Sequence, residues 1–476
     1  MKKPILIRVV ITIGLALCFW LAYTRWLDYV LFYQEQHRLM VYTADAVSRR
    51  ISSAGVIELV NDFIAQFFYI PWLGALILSL LCSSVYFLGD LLIRKVLRRP
   101  DYLGVAPAAS VVVFLSTTGI DSSLVCAWLV PLCLCVLLLL SCLLPRRTFK
   151  GNFVFGSAVL ALIYGGAGYW WLLGHINRSE RTMILTEKAV KEGRWSDVVK
   201  RAEAYADAGH SNKLMLMFRS LALANQGRLL DNLFDVPQNF GINGLFLPWN
   251  SDVRESEYGY LVYEAIGHIN EAHHWESEAL VAWGPTAPHL INLAHYNIAM
   301  GRPEVARRFI RPLEHTLFYR DEAKSLNEQL ENGMADGIRY SIGKEGASQF
   351  TNVMNIIPEL QAVCNSDQRN AIARQYLLAA YLLTNRVGSF VAELPCDNRP
   401  LAPASQQALL VYRLKDDNQA GFDSLRYAIS QETVERFSRY AERSSRVAPA
   451  ELARQFGDTY WFYINYISPH GHKVND

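Results

Sequence analysis

The chain has 476 residues, 51% of them hydrophobic and only 19% charged. Soluble domains carry about 25% charged residues, so disorder, collagen-like repeats and a small disulfide scaffold are excluded. The net charge of +2 hides an asymmetry: residues 1–175 hold 14 Lys and Arg against 8 Asp and Glu, and the remainder holds 32 against 36. Neither part is basic enough for a nucleic-acid footprint.

The segment 1–175 reads as a transmembrane domain. A hydrocarbon core about 30 Å thick needs roughly 20 apolar residues in a helix. Such runs cover 4–23, 67–93, 122–144 and 151–174, with a weaker one at 103–120 that is also compatible with a re-entrant or interfacial segment. The first run has no small-x-small cleavage site and carries bulky Trp20 where one would lie, so it is expected to stay as an anchor. Residues 27–66 read as one or two amphipathic helices lying on the membrane face or under the following domain.

Charge placement favours five spans. Basic residues accumulate on cytoplasmic loops. With five spans Lys2, Lys3, Arg8, Arg94, Lys95, Arg98, Arg99, Arg146, Arg147 and Lys150 all fall on one side. Trp20, Tyr23, Trp72, Tyr169 and Trp171 fall at the opposite ends, as interfacial anchors do. The expected topology has a cytoplasmic N-terminus and an exported C-terminal domain. Asp90 lies one turn from Arg94 and is expected to pair there. The patch Gly165-Gly166-Ala167-Gly168 is expected to let helices approach closely.

From Arg178 the pattern changes to helical stretches punctuated by Gly and Pro. Lys191-Glu192-Gly193-Arg194-Trp195 recurs as Asn225-Gln226-Gly227-Arg228-Leu229, as Ala299-Met300-Gly301-Arg302-Pro303 and loosely as Leu383-Thr384-Asn385-Arg386-Val387. Gly193 and Gly227 are separated by one tetratricopeptide period. Gly or Asn suits the left-handed end of one helix, and Pro303 the first turn of the next. The region 182–466 therefore resembles a degenerate tetratricopeptide array of helical hairpins, with an insertion at Asp235–Tyr258 and a flexible tail at 467–476. The fold class is all-α: a bundle of about five transmembrane helices followed by a helical-hairpin array.

Several strings are similar to those of a narrower group. They are Asn225-Gln226-Gly227-Arg228-Leu229 running to Pro237-Gln238, Gly244-Leu245-Phe246-Leu247-Pro248, Asn270-Glu271-Ala272-His273-His274-Trp275 and Thr316-Leu317-Phe318-Tyr319-Arg320. Gln34-Glu35-Gln36 and Tyr69-Ile70-Pro71-Trp72-Leu73-Gly74 belong with them. The chain resembles a family of inner-membrane proteins of unknown function from Bacteroidota. The resemblance implies a cell-envelope location, in the bacterial inner membrane with a periplasmic C-terminal domain, and no activity.

No dinucleotide fingerprint, P-loop, nucleophile elbow or His-Glu-x-x-His is found, so no catalytic, cofactor or metal residue is assigned. The loose cluster His268, His273, His274, His289 and His295 reads as surface and inter-helix polar residues. Asp252, Glu255 and Glu257 beside Trp249, Tyr258 and Tyr260 read either as a cation- or sugar-binding lip or as a solvated loop before an acidic helix start. Cys364 and Cys396, separated by close to one repeat, are a candidate disulfide in an oxidising compartment. Gln238, Phe240, Phe246 and Trp249 in the insertion read either as a partner contact or as a plug between irregular hairpins. The leading functional expectation is a membrane-anchored scaffold whose array binds a protein or peptide partner, with the lipid bilayer as its other partner. The alternative is a membrane enzyme or transporter component acting on envelope glycans or lipids.

Overall fold

The computed structural model describes residues 2–143, 153–248, 252–338, 356–394, 401–414 and 429–471. Every regular element among them is helical. The chain divides into two compact units. The first takes Met1–Ile184, Pro285–Leu290 and Phe309–Ser325, and the second takes Leu185–Gly284, Ile291–Arg308 and Leu326–Asp476. Two short pieces of the expected array thus belong to the unit that holds the apolar helices.

In the first unit, α1 (Lys2–Arg25) and α4 (Pro71–Val96) run antiparallel. Trp20 Nε1 donates to the Trp72 carbonyl at 3.2 Å near one end, and Arg8 Nε lies 2.8 Å from Asp90 Oδ2 near the other. Between them α2 (Asp28–Gln36) and α3 (Ala44–Ala65) stay at the Trp72 end. Gln34 Nε2 donates to the Ser122 carbonyl at 3.1 Å, and Asn61 Nδ2 to Ser123 Oγ at 3.4 Å, which ties both helices to the 117–123 turn, while Trp128 Nε1 from the helix that follows donates to Asn61 Oδ1 at 3.0 Å. Gly55, with φ of +85°, breaks α3 with a backbone conformation that costs a side chain dearly. Buried Asp62 holds Arg38 at 3.2 Å and Arg50 at 2.6 Å.

Five helices among the described residues are long and apolar enough to cross a membrane: Ile5–Arg25, Ala44–Tyr69, Pro71–Val96, Val125–Leu143 and Phe155–His175. Four of these overlap the expected runs 4–23, 67–93, 122–144 and 151–174. Ala44–Tyr69 qualifies as well, where amphipathic helices on the membrane face or under the following domain were expected, and 103–120 holds no helix of that length. The helix within 103–120 is α5 (Val105–Leu115), 11 residues long, which reaches about 16 Å at 1.5 Å per residue. The stretch nevertheless runs beside α4 and on to α1. Asp101 caps α5 by accepting from Val105 N and Ala106 N at 2.9 Å, and Ala106 packs on Gly89. Ser110 Oγ donates to the Cys82 carbonyl at 2.8 Å, and Thr117 Oγ1 meets Tyr23 Oη at 2.6 Å. A short helix extended by hydroxyl-bonded turns covers the length that one regular helix would.

The remaining two helices complete the bundle. α6 (Val125–Leu140) returns along α4, so that Lys95 Nζ reaches the Leu138 carbonyl at 3.3 Å. α7 (Val154–His175) runs with α5: Tyr164 Oη donates to the Leu103 carbonyl at 2.9 Å. A Cβ at Gly168 would fall 2.4 Å from Val111 Cγ1. The small residue is there for close approach, as its membrane setting suggests.

The second unit is built from helical hairpins closed by one recurrent turn. Gly193, Gly227, Gly267, Gly301 and Asn385 all have positive φ. At each, the next residue donates its backbone N–H five residues back: Arg194 to Ala189, Arg228 to Leu223, His268 to Tyr263, Arg302 to Asn297 and Arg386 to Tyr381, all at 2.8 Å. This is the Schellman closure of a helix C-terminus. Gly267 resolves the irregular spacing. The steps from Gly193 to Gly227 and from Gly267 to Gly301 are equal, and the step between them is only slightly longer. The insertion therefore adds less than two helical turns of chain, not a separate element. The helices joined here are α8 (Arg178–Lys191), α9 (Trp195–Asp207), α10 (Lys213–Asn225) and α11 (Leu229–Asn232). They continue through α12 (Val253–Ser256), α13 (Tyr260–Ala265), α14 (Ile269–Trp283), α15 (Ala287–Ala299) and α16 (Pro303–Glu314). α10 is buried on every side from Leu214 to Ala224, the mark of a core helix.

Towards the C-terminus, Leu410, Tyr440, Leu452, Phe456, Trp461 and Phe462 form a separate apolar core. Part of the expected flexible tail is held. Asn385 Nδ2 donates to the Gly471 carbonyl at 3.0 Å, and Ser468 Oγ donates to Asn385 Oδ1 at 3.2 Å. Residues 472–476 lie outside the described residues.

Candidate functional site

The insertion folds inward over its described part. Gln238 is 1% exposed, and its amide donates to the Leu233 carbonyl at 2.7 Å and the Val236 carbonyl at 3.1 Å. Phe246 is buried against the rings of Tyr263 and Tyr376, at 5.9 and 5.3 Å between centroids. Phe240 is half-buried, and Trp249 lies outside the described residues. Gln238 and Phe246 are thus occupied within the unit.

The acidic–aromatic string after the insertion also turns inward. Asp252 caps α12 by accepting from Glu255 N at 2.8 Å, and Glu255 meets Lys213 at 2.6 Å. Glu257 and Tyr258 are buried. Lys191 Nζ lies 3.0 Å from Glu187 Oε1 and 3.7 Å from Glu257 Oε1, and Tyr258 Oη donates to Glu187 Oε2 at 2.6 Å. Burial alone would pull the Lys191 ammonium down, but Glu187 and then Glu257 hold its pKa above the ordinary lysine value. Burial, and next the Glu187 charge, raise the Tyr258 phenol well above its ordinary range. Further along, Asn292 Nδ2 donates to Glu276 at 3.2 Å and Tyr296 Oη donates to Glu264. Pairs of this kind, taken out of water, fix one arrangement of the hairpins.

In the histidine cluster, His268 is likewise buried beside a carboxylate. It is 2% exposed, with Nε2 at 3.5 Å from Glu359 Oε2, and burial pushes its pKa down to about 4. His274 sits half-exposed between Glu271 at 3.7 Å and Glu278 at 3.8 Å. Among the described residues no three His, Cys, Asp or Glu come together as metal ligands. The His268 shift has a pH consequence. The unfolded chain binds this proton near pH 6.5 and the folded chain only near pH 4. The neutral ring is therefore accommodated at no cost above pH 6.5, and stability is lost as pH falls below it. Between pH 7.5 and 5 the loss is about 2 kcal/mol. Thermal unfolding of the full chain in detergent is expected to show this loss, with His268→Gln flatter by that amount. Parallel pH profiles for the two would refute the assignment.

On the surface of the second unit, α9 and the turn after α10 leave a polar groove of about 450 Å³, with Ser196, Lys200, Glu203 and Asp207 on one helix face and Gln226 and Arg228 opposite. Gln226 Nε2 donates to Ser196 Oγ at 3.2 Å, and Glu203 Oε1 accepts from buried Arg219 at 3.1 Å. Lys200 and Asp207 are exposed and, among the described residues, carry no hydrogen bond or ion pair from their side chains.

A family model described as a family of unknown function, DUF6057, matches residues 2–176 and 170–467. The chain belongs to the DUF6057 family. No curated protein matches the chain, and no solved structure does.

Three of the strings that carry the family resemblance meet in the first unit of this DUF6057 member. Tyr319 Oη donates to Glu35, while Gln36 Nε2 donates to the other Glu35 oxygen at 2.7 Å. Tyr69 stacks on Phe318 at 5.3 Å and meets Tyr319 edge-on at 5.1 Å. Tyr42 N donates to the His315 carbonyl at 2.8 Å. Burial, reinforced by Glu35, raises the Tyr319 phenol above its ordinary value. Tyr69 and Trp72 remain about half exposed beside this cluster, as interfacial aromatics do. Nothing in the spacing of these strings linked residue 35 to residue 319. Of the candidate disulfide, Cys364 is buried, its thiol pushed up to about 11 by burial, and Cys396 lies outside the described residues.

Proposed function

We propose that this family member is a bacterial inner-membrane scaffold whose tetratricopeptide-like, periplasmic array binds a protein or peptide partner. The observation that carries the reading is the pair of uncommitted charges in the α9 groove. Lys200 and Asp207 stand two helical turns apart on one face, about 10 Å along the helix. An extended peptide rises about 3.3 Å per residue, so charges of opposite sign three residues apart on a partner match both. Hairpin arrays use such surfaces for segments of this kind.

Orientation is supported by the two ends of the bundle. One holds Arg8, Arg94 and Lys95, and the other holds Trp20, Trp72 and the 117–123 turn, which itself has no Lys or Arg, with Arg38 and Arg50 there paired to Asp62. Alkaline phosphatase fused after Asp476 is expected to be active, and one fused near Arg98 inactive. The reverse pattern would refute the topology.

The binding role is tested by photo-crosslinking in intact cells, from amino acids placed at 200 and 207 and, as a control, at Val281, which is 83% exposed. The same discrete adduct is expected from both groove positions and not from 281. It should disappear when Arg228 is changed to Glu. No adduct, or the same adducts from all three positions, would overturn the groove as a docking site.

A further inference from the structure

Where α4 meets α6, near the Arg8 end of the bundle, an apolar groove of about 460 Å³ runs between the helices, lined by Ile93, Val96, Leu97, Leu137, Leu140 and Ser141 among others. Val96, Leu97 and Leu140 are 45%, 64% and 55% exposed. The single hydroxyl in the wall is spent, since Ser141 Oγ donates to the Leu138 carbonyl at 2.7 Å. The groove thus offers nothing polar along its length.

At its rim the chemistry reverses. Lys95 Nζ is held over the seam by the Leu138 carbonyl at 3.3 Å and Cys142 Sγ at 2.9 Å, neither of which neutralises it. Arg98 and Arg99 follow, both exposed, and among the described residues neither side chain has a hydrogen bond or ion pair. Arg98 also ends α4 in the left-handed conformation, with φ of +54°. A glycine would adopt that conformation without the cost of roughly 1–2 kcal/mol that L side chains incur. A cationic side chain stands at this position despite that cost.

We propose that this seam binds an anionic phospholipid, with one acyl chain in the α4–α6 groove and the phosphate on Lys95, Arg98 and Arg99. An apolar slot ending in three uncompensated cations is complementary to a molecule with a long apolar tail and an anionic head. Basic sites between transmembrane helices hold anionic headgroups in this way. A second copy of the chain fits less well, because a two-fold contact through this seam would bring two sets of like charges together. The inference does not depend on partner binding by the second unit.

The test uses the full chain in a neutral detergent, with native mass spectrometry after adding phosphatidylglycerol or phosphatidylethanolamine of identical acyl chains. Wild type is expected to retain the anionic lipid about ten-fold or more over the zwitterionic one. Lys95→Gln/Arg98→Asn/Arg99→Gln should lose the preference, Asn being tolerated in the left-handed conformation. Val96→Trp/Leu140→Trp, which fills the groove and keeps the charges, should lower retention of the anionic lipid. Both variants should elute as wild type on size exclusion; if either does not, Leu140→Phe and Arg99→Gln alone replace them. Equal retention of both lipids, an unchanged preference in the charge variant, or displacement of the lipid by millimolar inorganic phosphate would overturn the proposal. So would a dimer that only the groove-filled variant abolishes.

Discussion

Replacing Lys191 with Met is expected to destabilise the second unit by about 3–5 kcal/mol, the cost of leaving a buried ion pair without one partner. The side chains of Glu187 and Glu257 are 3% and 4% exposed, and Lys191 is the cation within 4 Å of both. Met has nearly the same length, so the packing of α8 against the 257–260 segment changes little while Glu187 loses its counter-charge and Glu257 loses one of its contacts. The melting transition of the full chain in detergent should fall by on the order of 10 °C. Glu187→Gln/Lys191→Met should melt higher than Lys191→Met alone, because it removes the stranded Glu187 charge and keeps an acceptor for Tyr258. While Glu187 and Glu257 are ionised, the wild-type contribution is fully present below the unfolded lysine value of about 10.5. It is lost only as pH rises through the raised folded value. A Lys191→Met protein that melts with wild type would mean these carboxylates are solvated or neutral in solution.

That network was hidden in the sequence for a definite reason. Glu187 and Lys191 are four residues apart, the spacing of an ordinary exposed helix pair, and nothing local reveals that the 257–260 segment covers them. Glu257, Tyr258 and Tyr260 were visible as a group, but a run of acids and aromatics reads the same whether it faces water or a buried ammonium. The recurrent turns were easier, because the left-handed residue leaves a local mark: Gly193, Gly227, Gly301 and Asn385 are each followed by Arg. Gly267 escaped because His268 stands where the others have Arg, although its turn closes with the same 2.8 Å bond. Hydropathy located α1, α4, α6 and α7 well, since a membrane helix must satisfy its own backbone and so writes its length into one apolar run. It served α5 and α3 less well. α5 is short, and the stretch continues beyond it in turns whose hydroxyls bond nearby carbonyls. α3 is long and apolar enough to qualify by composition, yet carries buried Asp62 with Arg38 and Arg50 at the Trp72 end. The meeting of Glu35 with Tyr319 is a contact across 284 residues, and no period or motif encodes such a distance.

Asp90→Leu carries the second large expected effect. Asp90 is 1% exposed at its side chain and stands between Arg8 Nε and Arg94 Nε, each 2.8 Å from the same Oδ2 oxygen. The sequence suggested Arg94 as its partner, one helical turn away, whereas Arg8 arrives from α1 and locks α1 to α4. Without Asp90 two guanidinium groups, 11% and 13% exposed, face each other at the edge of an apolar bundle. Translocon-based scales put an unpaired arginine well inside a membrane at about 2.5–3.5 kcal/mol, and breaking a buried pair costs about 3–5 kcal/mol. Asp90→Leu should therefore lower both the yield of detergent-extractable monodisperse protein and its melting temperature. Arg8→Met/Asp90→Leu/Arg94→Met is expected to recover most of the loss, because three apolar side chains of similar volume pack without any charge to strand. Recovery identifies the cost as electrostatic. If the triple variant is as unstable as Asp90→Leu, the three residues hold α1 and α4 together through shape or hydrogen-bond geometry that methionine and leucine do not reproduce. The carboxylate is then a positional lock between the two helices and not a neutraliser of buried charge.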